Sequence, residues 1–294
     1  MNQYLSKQEV EDYWENLIKK DIDLFVYSLS TNNLATNWAF FFRNKILKLL
    51  MPKEVKIGAL EYNKQYCELS SLRSKSKSNS NSNSNSNYLS IHSVMIRDLI
   101  RNLNPNSYCL ILDIDAFPLS KYAIKLTFVL AMLKGINGNI QRTNCLENGD
   151  HLFIAPSYIC FNTKTIQNLK ESAWIANNRS DVSEEITWLN PDLIDQNLFR
   201  PINTLFKPIW ALEGKKKVYG VGTTFGYKNL PINYHHFYSR NFIARLHFFL
   251  ISFIKFIKIN LNINNNKKIN LRFKIKQTIG EIKFSIKYLL GKIL

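Results

Sequence analysis

Residues 108–115, Tyr-Cys-Leu-Ile-Leu-Asp-Ile-Asp, constrain the fold of this chain more than any other stretch. A short apolar run without polar alternation reads as a strand buried on both faces of a sheet. Two carboxylates then end it, and charges so close to a core need a partner. Strand alternation sends Asp113 and Asp115 to one side and Ile114 to the other. Two carboxylates on one side can bracket a divalent cation. Oxygen-rich sites of this kind suit Mg2+ or Mn2+, especially when phosphates complete the shell.

The surrounding sequence supplies alternating elements. Residues 6–20 read as a helix with acids early and lysines late, as the helix dipole favours. Residues 23–30 read as a first buried strand, 32–50 as a helix and 54–62 as a second strand. Helical spacing recurs over 91–104 and 121–133, and 149–162 offers two short strands around Pro156. A helix over 163–178 follows, then another entered from residues 179–192, with Ser180 or Asp181 as its cap. This alternation predicts an α/β fold with a mostly parallel central sheet and flanking helices. Residues 216–240 are glycine-rich and aromatic and read as an irregular loop lining a site, where Gly220, Gly222 and Gly226 let backbone approach a ligand. Residues 71–88, rich in Ser and Asn, cannot bury apolar surface and are expected to form a disordered loop. The predicted organisation is one catalytic domain over 1–240 and a basic helical tail over 241–294.

The formal net charge is +17, and its position says more than its size. From Arg240 onward there are twelve lysines and arginines against one acid, Glu281, which places +11 of that charge in the tail. Leu271, Ile275, Ile279, Ile282, Ile286, Leu289 or Leu290, and Ile293 recur every three or four residues as one helical stripe, with lysines largely off it. Upstream, residues 242–260 are very apolar but interrupted by Lys255 and Lys258. Both segments suit amphipathic helices lying in an anionic membrane interface, with packing on the domain as the alternative. A recognisable nucleic-acid module is absent, and aromatic and basic residues do not interleave, so no nucleic-acid partner is expected. The polar start lacks a secretory pattern, and the cysteines show no CxxC spacing. Cys109 and Cys160 sit in apolar runs and read as small buried thiols. The expectation is a reducing, cytoplasmic location, peripheral on the inner face of the membrane, without structural zinc.

The segment Leu-Ile-Leu-Asp-Ile-Asp-Ala-Phe-Pro-Leu-Ser, 110–120, resembles the DxD motif of GT-A glycosyltransferases, and the element order over 21–240 is similar to theirs. The resemblance implies a GT-A-like, Rossmann-like sheet and a nucleotide-sugar donor held through Mn2+ or Mg2+ on its diphosphate. Asp115 would be the direct metal ligand, and Asp113 would contact the ribose or a metal-bound water. The acceptor would be a glycan or glycolipid. Such folds often add a late histidine to the metal. Here His235 and His236 are adjacent on an extended segment and point opposite ways, and His236 is the one favoured. An inverting transferase needs a base on the acceptor hydroxyl. Asp181, Glu184 and Glu185 open a predicted helix, and Glu184 or Asp181 is the expected base; helix-dipole complementarity alone would also explain these acids. A strand followed by DxD is also similar to the motif of haloacid-dehalogenase-like phosphohydrolases, in which Asp113 would be a nucleophile. Phe117 stands where that family has Thr or Val, and the adjacent acids at 184–185 fall on a predicted helix. A non-catalytic membrane or nucleic-acid binding module is the third reading.

Overall fold

The computed structural model describes residues 5–20, 22–30, 38–61, 91–143, 151–169, 174, 180, 182–189, 198–210, 219–237 and 242–265. The central sheet has five strands: β1 (Asp23–Ser30), β2 (Val55–Glu61), β3 (Ser107–Leu112), β5 (Ile136–Arg142) and β6 (Leu152–Asn162), in the order β2-β1-β3-β6-β5. β1 runs parallel to β2 and β3, and β6 runs antiparallel to β3 and β5. Four of the five strands therefore point the same way, and the sheet is mixed but mostly parallel, as the sequence predicts. The helices are α1 (Lys7–Lys19), α2 (Phe41–Leu50), α3 (Ile91–Asn102), α4 (Lys121–Lys134), α5 (Thr163–Gln167), α6 (Glu184–Leu189) and α7 (Phe242–Asn265).

The apolar run of β3 is apolar because both its faces are covered. Leu110 and Leu112 enter a core filled from α1, α2, α4 and α7. Cys109 and Ile111 enter a second core filled from α3, α5 and α6. Both cysteines of the apolar runs, Cys109 and Cys160, are buried free thiols, and burial raises their pKa. The early acid of α1 closes a capping box: the Glu9 backbone N–H donates to Ser6 Oγ (3.2 Å), and the Ser6 N–H donates to Glu9 Oε2 (2.6 Å).

A second sheet was not legible in the sequence. β4 (Ala116–Pro118), β7 (Arg200–Trp210), β8 (Tyr219–Tyr227) and β9 (Leu230–His236) form it in the order β4-β9-β8-β7, all neighbours antiparallel. The predicted irregular loop at 216–240 is thus largely a hairpin. Lys228 and Asn229 turn it with φ of 49° and 72°, the left-handed pair of a two-residue turn that matches strand twist. Gly222 serves packing rather than ligand approach, since a Cβ there would lie 2.2 Å from the Tyr234 hydroxyl.

The two sheets are stitched together beside the end of β3. Asn139 of β5 and Asn233 of β9 exchange side-chain hydrogen bonds of 3.0 and 2.8 Å, both buried. Just before β7, Phe199 bonds its backbone to β5 through Ile140 N–H (3.0 Å) and Gly138 O (2.9 Å). The segment around Pro156 is one strand rather than two. Pairing with β5 shifts from Gly138–Ile159 to Asn139–Ala155, and Pro156 lies in that irregularity, where no ladder N–H is required of it. The helix predicted over 163–178 ends at Gln167 as α5.

α7 lies across α2. Phe42 is surrounded by Phe249, Phe253 and Phe256 at ring-centroid distances of 5.2, 4.9 and 5.5 Å. The low-complexity stretch 71–88, Asp181, Cys67, Cys145 and the stripe at 271–293 lie outside the described residues. Phe42 is fully buried at the crossing, so Phe42→Ala should destabilise the fold by about 3–5 kcal/mol, read as a lower denaturant midpoint. An unchanged midpoint would mean that α7 does not pack there.

Candidate metal centre

β3 ends at Leu112, and the chain turns at once. The Ala116 N–H donates to Asp113 O (3.1 Å), closing a tight turn over Asp113–Ala116. The Asp113 N–H donates to Ser157 O on β6 (3.0 Å), which ties the start of the turn to the sheet. The two carboxylates therefore converge through a turn, not through the strand alternation expected from the sequence. β4 begins with the very next residue and carries the chain from the first sheet into the second.

β4 pairs with β9 so that Ala116 lies opposite His235 and Phe117 opposite Tyr234. The His236 N–H donates to Asp115 O (3.0 Å), and the Leu119 N–H donates to Ile232 O (2.9 Å), fixing this register. The register brings the His235 ring over the aspartates. Its Nε2 lies 3.3 Å from Asp115 Oδ1 and 3.7 Å from Asp113 Oδ2. One donor atom from each of the three residues lies within 4.8 Å of the other two. The Asp113 side chain is 25 % exposed, against 9 % for Asp115 and 6 % for His235, so the group opens outward on the Asp113 side.

His236, the histidine favoured from sequence, faces away. Its Nδ1 bonds the Tyr234 hydroxyl (2.8 Å), and its ring packs near Phe248 of α7 at 5.6 Å. Burial lowers its pKa to about 4, although Asp115 pulls the other way, so it stays neutral. His235 behaves oppositely. Burial disfavours its charged form, but the Asp115 hydrogen bond and the charges of Asp115 and Asp113 outweigh that, and its pKa is raised. Alternation along β9 was read correctly as splitting the pair; what the sequence lacked was the register with β4 that says which member faces the acids.

Arg43 of α2 supports the turn from below and was missed. It is buried, and its guanidinium donates to Asp113 O (2.8 Å), Ala116 O (3.0 Å) and Asn44 Oδ1 (3.0 Å), and also to Ser28 Oγ. Burial lowers its pKa to about 10, with Asp115 and Asp113 opposing that shift, so it remains a cation at neutral pH. The one signal in the sequence was a charge on an apolar helix face, since Phe42, Arg43, Ile46, Leu47 and Leu50 are the buried positions of α2.

The electrostatics require this company. Two like charges within 4.8 Å repel by about 3–4 kcal/mol at an effective dielectric near 20. That exceeds the net ~1 kcal/mol of an ordinary hydrogen bond, so positive charge has to stand nearby. Arg43 supplies one charge behind the turn, and His235, its pKa raised by the two acids, stands beside them on the other side. The spacing is compatible with a metal: adjacent ligands of an octahedral ion with 2.0–2.1 Å bonds stand about 3 Å apart, near the 3.3 Å between His235 and Asp115 and shorter than the 3.7 Å between His235 and Asp113. Asp113, Asp115 and His235 could therefore hold a metal ion between them, with small adjustments of their side chains.

Of the two expected base residues, only Glu184 is among those described. Glu184 is buried at the start of α6 and is not one of the three clustered residues; Asp181 is outside the described residues. Ser183, just before it, donates to Ile154 O (2.6 Å), and Ile154 lies three residues from Ser157, about 10 Å along β6. Beyond it, His151 stacks on Trp188 of α6 at 3.9 Å, and burial lowers the His151 pKa against the pull of Glu184.

No known protein family matches the chain, and no curated protein is matched by it. The geometry itself yields two tests. Added Mn2+ should raise the melting temperature of the wild type and of His236→Gln, but not of His235→Gln; a shift surviving in His235→Gln would remove the imidazole from the metal shell. Arg43→Met should cost about 3 kcal/mol or more, because it leaves two carbonyls and a carboxylate pair without their buried cation. A loss below 1 kcal/mol in denaturant unfolding would show that the turn does not depend on it.

Proposed function

We propose that the protein is a metal-dependent glycosyltransferase of the GT-A kind, moving a sugar from a nucleotide-diphosphate donor to a hydroxyl of a glycan or lipid-linked acceptor. The observation that carries this reading is the convergence of Asp113, Asp115 and His235 at the carboxyl end of β3. In open α/β sheets, ligands sit in the crevice beyond the carboxyl ends of the strands. Here the second sheet borders the end of β3, because β4 leaves the site directly and β9 returns to it.

Each residue has a distinct part in this reading. Asp115 and His235, both nearly covered, are ligands for Mn2+ or Mg2+; a mixed carboxylate and imidazole donor set leans toward Mn2+. Asp113, the most open of the three, faces the donor and is placed to meet its ribose or a water of the metal shell. A cation held there would neutralise negative charge on the departing diphosphate. Arg43 keeps the turn rigid through two backbone carbonyls, so the carboxylates need not be ordered when the donor arrives. Glu184, buried at the start of α6, remains the candidate base within the described residues.

The test is calorimetric titration of UDP and GDP with and without Mn2+, on the wild type, Asp115→Ala and the milder Asp113→Asn. Binding should require the metal, vanish in Asp115→Ala and weaken at least about tenfold in Asp113→Asn. Metal-independent binding, equal binding by all three proteins, or no binding of either nucleotide would each overturn the proposal.

A further inference from the structure

α7 carries large apolar residues on two opposite sides, and only one of those sides is covered. Ala244, Phe248, Phe249, Ser252 and Phe256 are buried against the body. On the opposite side Phe242, Ile243, Leu246, Leu250 and Ile254 are between 40 and 61 % exposed. Spacings of three and four residues align Ile243, Leu246, Leu250 and Ile254 as one stripe along the first half of a 24-residue helix. A contiguous exposed stripe of this length marks an interaction surface rather than scattered surface residues.

Charge selects what covers it. Between Gly214 and Gly280 the chain contains no aspartate or glutamate, while Arg245, Lys255 and Lys258 lie on α7 itself. A second copy seated on this stripe would set two basic helices side by side, with no acid on either to offset their mutual repulsion. Residues 266–294, with seven more lysines, one arginine and a single acid, would meet the same repulsion. An anionic lipid surface accepts both the apolar stripe and the cations, each worth about a factor of five near such a surface. None of the described helices is long and apolar enough to cross a membrane, so the geometry is that of a helix lying in the interface plane.

We infer that α7 is a membrane-docking face that inserts Ile243, Leu246, Leu250 and Ile254 among the acyl chains of an anionic bilayer. The opposite side of the same helix touches the metal-centre framework, since Phe248 packs on Phe117 at 6.0 Å and on His236 at 5.6 Å. Docking therefore holds the end of β3 at a fixed short distance from the lipid surface. Only the consequence drawn from that distance, an acceptor carried on a lipid, rests on the glycosyltransferase reading.

The experiment is co-sedimentation of the full chain, without metal or nucleotide, with vesicles of phosphatidylcholine containing about one third phosphatidylglycerol, and with phosphatidylcholine alone. The triple variant Leu246→Glu/Leu250→Glu/Ile254→Glu changes exposed positions only, and its unfolding midpoint controls for the fold. The wild type should partition into the anionic vesicles, more weakly into neutral ones, and the variant should lose about a hundredfold in partitioning. Equal partitioning of variant and wild type would overturn the inference. So would a wild-type dimer in light scattering that the variant abolishes, or binding lost only when residues 266–294 are removed. Failed nucleotide binding would leave this result standing, and failed vesicle binding would leave the metal centre untouched.

Discussion

The contact on which the site depends is the one between Arg43 and the carbonyls of Asp113 and Ala116. A strand that ends in two acids next to a core is electrostatically awkward, and a loose turn would let both acids escape to solvent. A planar guanidinium solves both difficulties at once. Its donors clamp the two ends of the turn, and its charge stands behind the carboxylates without blocking their open side. A lysine could supply the charge but not the fork. Arg43 is in turn fixed by its place on α2, where the adjacent Phe42 is held by the aromatic stack on α7. Helix packing, turn geometry and the disposition of the acids are thus one continuous arrangement.

The second sheet completes the site from a distant part of the chain. His235 reaches the acids only because β9 pairs with the three-residue strand that leaves them. That short pairing is reinforced by the buried Asn139–Asn233 exchange and by the backbone bonds of Phe199 to β5. Buried amide pairs of this kind are costly if half made, so they define a single docking of one sheet on the other. The same framework leaves α7 spanning two roles, with its inner side against Phe117 and His236 and its outer side bare.

The elements that could be read from sequence were those whose pattern is local. β1 was found at its observed bounds, and α1, β2 and α4 within a residue or so, because their burial repeats along their own residues. The acidic pair at the end of β3 was legible for the same reason. β5, Ile-Asn-Gly-Asn-Ile-Gln-Arg, was invisible, since its buried Asn137 and Asn139 earn their place through partners on other elements. The hairpin of β8 and β9 was hidden by Gly222, which looks like loop chemistry until Tyr234 is set beside it. The choice between His235 and His236 turned on parity relative to β4, a register no single strand encodes. Arg43 left only a faint trace, one charge among buried apolar positions.

The central claim is that Asp115 and His235, with Asp113 beside them, hold one cation at the end of β3. Diffraction from crystals grown with Mn2+ and a nucleoside diphosphate, recorded at the manganese absorption edge, tests it most directly. The account predicts a single strong anomalous peak about 2.0–2.2 Å from an oxygen of Asp115 and from Nε2 of His235, with a phosphate oxygen in the same shell. A peak bound elsewhere, or a nucleotide seated in the crevice with no manganese beside these residues, would contradict it.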